Sequence, residues 1–248
     1  MDNNTNNVPT VETPETEKVA SKKVPFAVIE AYKTIRTNLS FSLPHEGCKS
    51  FVIASSVPGE GKSTTAVNIA VAFSQLGKNV LLIDADLRRP SIHKKLKLIN
   101  TRGLYTILSS TASFEECIQT VNKNFDVLTS GPLPSNPIEL IESHALATLL
   151  AELEQRYDYI IFDSTPINIV SDAISLAPKT DGLVLVIREG STRKDDIQHA
   201  LSACKFANIR ILGAIINGVN PKHSRKYSYG KYKSGYRYRY QYQYKYKY

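Results

Sequence analysis

Ser50-Phe51-Val52-Ile53-Ala54-Ser55-Ser56-Val57-Pro58-Gly59-Glu60-Gly61-Lys62-Ser63-Thr64 begins as an apolar run and ends in a glycine loop that opens a helical stretch. A buried strand feeding such a loop is how proteins cradle nucleotide phosphates. Gly59 and Gly61 let backbone N–H groups curl around the phosphates, Lys62 reaches the β and γ oxygens, and the Ser63 hydroxyl is suited to ligate Mg²⁺. The helix starting near Lys62 adds the positive end of its dipole. The residues expected to hold ATP or GTP are therefore Pro58, Gly59, Glu60, Gly61, Lys62, Ser63 and Thr64. Ser56 occupies the place of the usual first glycine, and Pro58 stiffens the turn instead. A dinucleotide fingerprint is excluded, because Thr64 stands where a third small residue is required.

Downstream of the loop, short apolar runs alternate with helical stretches. The runs are Phe51 to Ala54, Val80 to Asp84, Phe125 to Leu128, Tyr159 to Asp163, Leu183 to Ile187 and Ile209 to Ile216. This alternation predicts an α/β fold of the P-loop NTPase type, a mainly parallel sheet with helices on both faces. The nucleotide should lie at the carboxyl ends of the strands. Upstream, Phe26 to Phe41 reads as a helix with Ile29, Tyr32, Ile35, Arg36 and Leu39 on one face.

Two further patterns fall at strand tips. In Leu81-Leu82-Ile83-Asp84-Ala85-Asp86-Leu87-Arg88-Arg89-Pro90, two carboxylates two residues apart project to the same side if the chain stays extended. In Tyr159-Ile160-Ile161-Phe162-Asp163-Ser164-Thr165-Pro166, a strand delivers one acid to its end, where P-loop enzymes hold Mg²⁺ directly or through water. Paired acids at one strand end are ordinarily solvated loop residues. Three acids at two tips, beside a phosphate loop, point to a metal and phosphate site.

The formal charge of +8 is confined to one end. Residues 222–248 contain nine Lys or Arg and no acid, leaving 22 basic against 23 acidic residues elsewhere. No broad basic face for duplex DNA follows from such a balance, and a nucleic-acid partner is not expected. Ten of the 14 tyrosines lie in this tail: Tyr227, Tyr229, Tyr232, Tyr236, Tyr238, Tyr240, Tyr242, Tyr244, Tyr246 and Tyr248. With no aliphatic residue to build a core, the tail is expected to be disordered when free. Composition alone favours a basic aromatic binder of RNA, anionic lipid or an acidic protein. From Tyr236 the strict alternation also suits a two-faced strand that finds a partner edge. The polar segment 1–23 reads as a flexible arm, residues 24–221 as the folded domain and 222–248 as the tail.

No apolar run approaches the roughly 20 residues that cross a bilayer, and the polar start Met1-Asp2-Asn3-Asn4-Thr5 lacks the features of a secretory signal, so a cytosolic chain is expected. Cys48, Cys117 and Cys204 have no disulfide or metal spacing and are expected to be reduced. The five dispersed histidines offer no metal site.

Taken together, the Pro-Gly-Glu-Gly-Lys-Ser loop, the Asp84-x-Asp86-x-Arg88-Arg89-Pro90 string, Asp163-x-x-Pro166 and the terminal tyrosines make the chain similar to the bacterial tyrosine kinases. More narrowly, it resembles the separate cytoplasmic kinase subunit that Gram-positive bacteria use in capsule and exopolysaccharide synthesis. The resemblance covers essentially residues 24–248. The His-Arg-Asp and Asp-Phe-Gly signatures of eukaryotic kinases are absent.

The resemblance implies ATP and Mg²⁺ as cofactors, with Lys62 on the phosphates and Ser63, Asp86 and Asp163 supporting the metal. Asp84 would accept the proton of the incoming tyrosine, although Asp84 and Asp86 can exchange roles without changing the pattern. The ten tail tyrosines would be phosphoacceptors, presented to a neighbouring subunit. A helix motif of Glu30, Lys33 and Arg36 would join subunits into a ring, Lys33 standing where the family has Arg. Asn217, by analogy with related P-loop proteins, would contact adenine. The resemblance further implies a separate transmembrane activator of the polysaccharide chain-length regulator type, holding the kinase at the inner face of the plasma membrane. Other protein substrates and an opposing tyrosine phosphatase are also implied. Two rival classes stay open from the residues alone: a partitioning or division-site ATPase, whose members carry a lysine where this chain has Val57, and a nucleotide-gated binder of RNA or lipid.

Overall fold

The computed structural model describes residues 25–219; the N-terminal arm and the tyrosine-rich tail lie outside the described residues. Seven strands form one sheet in the order β3-β4-β2-β5-β1-β6-β7. They are β1 (Lys49–Ser55), β2 (Val80–Asp84), β3 (Ile118–Asn122), β4 (Phe125–Leu128), β5 (Tyr159–Pro166), β6 (Leu183–Arg188) and β7 (Ile211–Asn217). All neighbours pair in parallel except β3, which runs antiparallel to β4 at one edge. The helices are α1 (Phe26–Ser42), α2 (Lys62–Ser74), α3 (Ile92–Leu96), α4 (Leu104–Leu108), α5 (Phe114–Cys117), α6 (Pro137–Glu142), α7 (His144–Leu153), α8 (Asp172–Leu176) and α9 (Lys194–Phe206). The chain divides after Asn217, with Gly218–Tyr248 forming a separate unit.

The sheet is buried on both faces because its central strands are apolar at every position, not at alternate ones. Alternation still sorts the side chains. Phe51, Ile53, Val80, Leu82, Tyr159 and Ile161 pack with Ala66, Ile69 and Phe73 of α2 and Leu39 of α1. Val52, Leu81, Ile83, Ile160 and Phe162 pack on the other side with Leu146, Leu149 and Leu150 of α7 and Ala200 and Cys204 of α9. Phe73 stacks on Tyr159 at a centroid distance of 4.0 Å. This is the two-sided α/β arrangement of a P-loop fold.

Details at the edges differ from the sequence reading. The antiparallel edge strand β3 was not expected, and only Ile118 and Val121 give it apolar character. α1 buries Leu39 fully, whereas Ile29 stays exposed and Arg36 donates from Nη1 to the Ala72 carbonyl at 2.8 Å. The three cysteines are free, Cys117 and Cys204 being buried. No helix among the described residues is long and apolar enough to cross a membrane.

Candidate active site

Beside β1 the strand order reverses, β5 and β2 lying on one flank and β6 on the other, which opens a crevice at the carboxyl ends of the strands. A cavity of 820 Å³ lies there, bounded by the loop after β1 and by residues following β2, β5 and β6. Gly59 and Gly61 take φ of 86° and 96°, a left-handed conformation that side chains disfavour. At Gly61 a Cβ would also sit 2.1 Å from Nδ2 of Asn217. Gly61 caps α2 with no side-chain hydrogen bond, so the first-turn amides of this 13-residue helix are left for an external anion.

Pro58, Gly59, Gly61, Lys62, Ser63 and Thr64 line the cavity, whereas Glu60 does not. The buried Glu60 carboxylate turns inward and accepts from Ser56 Oγ and the Val57 amide at 3.0 and 2.9 Å, and from Thr192 Oγ1. It braces the loop from behind. Asn217 likewise stays out of the lining, its Nδ2 donating to the Glu60 carbonyl at 2.9 Å. The side chains of both residues therefore shape the loop from outside the cavity.

Lys62 is the hub of the charge arrangement. Its Nζ lies 2.8 Å from Asp86 Oδ2 and 3.3 Å from Asp163 Oδ1, and donates to Ser63 Oγ at 3.3 Å. Burial alone would pull the ammonium pKa down, but the carboxylates of Asp163 and Asp86 outweigh it and hold the group charged. Asp84 and Asp163 stand in register on adjacent strands. Burial, reinforced by the charge of Asp163, pushes Asp84 up to about 7. Burial also raises Asp163, against the pull of Lys62.

The two acids of the Asp84-x-Asp86 string occupy different environments. Asp86 lines the cavity and accepts from the Arg89 amide at 2.9 Å. Asp84 is fully buried behind it, its Oδ2 accepting from the Ser91 and Ile92 amides at 3.0 Å each. The same-side expectation fails because β2 ends at Asp84 and the chain turns before Asp86. Among the described residues, Asp84 Oδ1 and Asp163 Oδ2 are buried without a hydrogen-bond partner. No three acids, histidines or cysteines among the described residues form a complete metal cage. The oxygens present suit instead a hard divalent ion that keeps part of its shell for phosphate and water, as Mg²⁺ does.

Sequence reasoning left several cavity residues without a role. Arg88 lies at the wall, held by Asp172 through Nε to Oδ2 at 2.7 Å and Nη2 to Oδ1 at 3.0 Å. Lys95 donates to Thr64 Oγ1 at 3.0 Å, and Arg188 Nη1 to the Gly59 carbonyl at 3.3 Å. The adjacent Arg88-Arg89 pair after a strand tip was the available signal; Asp172 and Arg188 come from distant segments and have no local one.

The AAA domain family matches residues 34–206. The tyrosine-protein kinase YwqD of Bacillus subtilis (strain 168) is 48% identical over 204 residues, covering 82% of this chain and 85% of that protein. The putative tyrosine-protein kinase CapB of Staphylococcus aureus is 36% identical over 207 residues, covering 82% and 91%. Among solved structures, the kinase domain of the Escherichia coli tyrosine kinase ETK superposes with a TM-score of 0.76 at 27% identity, covering 91% of this chain and all of that domain. Kinship of this extent, on top of a phosphate loop flanked by strand-tip acids, decides against the partitioning and binder classes: the chain belongs to the bacterial tyrosine-protein kinases, on an AAA-type P-loop domain.

Proposed function

We propose that the chain transfers the γ-phosphoryl group of ATP to tyrosines of its own C-terminal cluster, Tyr227 to Tyr248, on a neighbouring copy, and so regulates synthesis and export of a capsular or extracellular polysaccharide. The observation that carries this reading is Lys62, held by Asp86 and Asp163 at the mouth of an uncapped helix. Triphosphate entering the loop offers Lys62 new oxygens and frees the two carboxylates. Mg²⁺, when bound, neutralises charge on the β and γ phosphates, and Ser63, Asp86 and Asp163 are the residues to hold it. The phenolic oxygen bonds to the γ phosphorus while the bond from that phosphorus to the β–γ bridging oxygen breaks, and ADP leaves. A carboxylate accepts the phenolic proton. Asp84 is assigned this role because its pKa, raised to about 7 by burial, is matched to neutral pH. The phenol is a poor nucleophile below its pKa near 10, yet positioning and charge neutralisation supply most of the rate.

Self-association through α1, with Glu30, Lys33 and Arg36, would bring one copy's tail to its neighbour. A transmembrane activator would hold the kinase at the inner membrane face and complete the site. Other tyrosine substrates and an opposing phosphatase belong to the same reading. Incubation with labelled ATP, Mg²⁺ and the activator, followed by intact-mass and site mapping, tests it. Phosphate on the tail tyrosines, abolished by Lys62→Met, is the expected result. Release of inorganic phosphate with a bare tail would refute the assignment.

A further inference from the structure

A second cavity of 610 Å³ adjoins the first and shares Arg88, Arg89 and Ser91 with it. Its remaining walls come from the start of α3 and from the loop after β4, and no acid lines it. Arg88 is already neutralised by Asp172. Arg89 and Lys94 have no ion-pair partner among the described residues, which leaves two uncompensated positive charges at the rim. Pro90, Pro132 and Leu133 supply an apolar wall, Leu133 being 62% exposed. An unmet double positive charge beside an exposed apolar wall calls for a ligand that carries both a dianion and a flat apolar group.

Phosphotyrosine is such a ligand, with a charge of about −1.5 to −2 at pH 7 on an aromatic ring. From Tyr236 to Tyr248 tyrosines occupy every second position. In an extended chain, side chains two apart lie on one side, roughly 7 Å from each other. We propose that the second cavity binds a phosphotyrosine of the Tyr236–Tyr248 ladder on a second copy of the chain, placing the next unmodified tyrosine at the phosphate cradle. The inference rests on the tail being the substrate. The unmodified ladder carries Arg237, Arg239, Lys245 and Lys247 and no acid, so this rim repels it. The first phosphate reverses the sign of the interaction locally. The outcome is priming: each modified tyrosine favours modification of its neighbour.

The test uses the full chain saturated with a non-hydrolysable ATP analogue and Mg²⁺, so that the cradle cannot take up the phosphate of the probe. The probes are fluorescent peptides of residues 236–248, unmodified or with phosphotyrosine at position 240, read by anisotropy at physiological salt. The phosphopeptide is expected to bind at least tenfold more tightly. Lys94→Glu and, separately, Leu133→Asp should each remove that preference, and circular dichroism confirms that both variants fold. Equal binding of the two peptides, or a preference that survives both substitutions, overturns the inference. A tail left bare after incubation with ATP refutes the substrate reading instead, and the binding comparison then still reports separately on the cavity. With both readings intact, the primed peptide is phosphorylated with a KM lowered by a similar factor.

Discussion

The two adjoining cavities treat positive charge in opposite ways. In the cradle, Lys62 and Arg88 are already matched, by Asp86 and Asp163 and by Asp172. In the second cavity, Arg89 and Lys94 face solvent without a carboxylate partner among the described residues. Buried carboxylates at the tips of β2 and β5 need a cation for the empty protein to be stable, and Lys62 supplies it until a ligand arrives. Exposed cations need no such partner, since water solvates them. Pairing in the cradle thus serves the empty fold, and its absence next door leaves charge free to attract an anion.

The largest expected effect breaks the pairing at its centre. Removing one partner of a buried pair costs about 3–5 kcal/mol. Lys62→Met should cost about 3 kcal/mol of unliganded stability, the low end of that range, because burial already pushes Asp163 toward its neutral form. Lys94→Ala should stay within about 0.5 kcal/mol, as surface substitutions do. Urea denaturation of the two variants side by side measures the difference, and equal losses would erase the contrast. Next in size is Arg88→Ala, which strips both hydrogen bonds from the buried Asp172 carboxylate. A loss of about 2 kcal/mol is expected for a buried charged acceptor left without its donor. A loss under about 0.5 kcal/mol would group Arg88 with Lys94 instead of Lys62.

A third prediction changes a slope. Burial raises Asp84 from its ordinary carboxylate value to about 7. A raised acid binds its proton more tightly folded than unfolded, so its contribution is fully present below about pH 4 and is lost as pH rises through about 7. Unliganded stability should therefore fall across that window. Asp84→Asn keeps an acceptor for the Ser91 and Ile92 amides but cannot ionise, and its profile should be flatter. Identical profiles from pH 4 to 8 would mean that Asp84 is not held protonated by its surroundings.

The same contrast between paired interior and open edge governs what the sequence could disclose. β2 and β4 fall at Val80–Asp84 and Phe125–Leu128, the bounds read from sequence, because continuous apolar runs leave no other place for strands packed between two layers. β3, at the edge, carries too little apolar signal and takes its form from pairing with β4. β7 starts at Ile211 and not at Ile209, since Asn208 turns left-handed and the Ile209 amide closes α9 on the Cys204 carbonyl. In the site, the loop glycines and strand-tip acids were legible because phosphate chemistry dictates those residue types at fixed spacing. What distinguishes Asp84 from Asp86 was not, since it depends on where the chain leaves the strand. The inward turn of Glu60 depends equally on Thr192, more than a hundred residues away, for which no local pattern exists.

The smallest expected effect comes from a pair that is matched, like the cradle, yet exposed, like the second cavity. On α1, Lys33 Nζ lies 2.8 Å from Glu30 Oε1, and both side chains are 45% exposed. Pairing at three-residue spacing on a helix surface is worth about 0.2–0.5 kcal/mol, and water screens it further. Lys33→Ala should therefore shift urea denaturation by no more than that, which separates burial from pairing as the source of the cost at Lys62. The same variant also probes self-association through α1, whose Phe26, Val28 and Ile29 remain exposed in the single chain. Sedimentation of the variant beside the parent chain reads this directly: if Lys33 helps join copies, the assembly shrinks although the stability of each chain hardly moves. An unchanged assembly would leave the Glu30 and Lys33 pair as a local helix contact and remove Lys33 from the proposed ring.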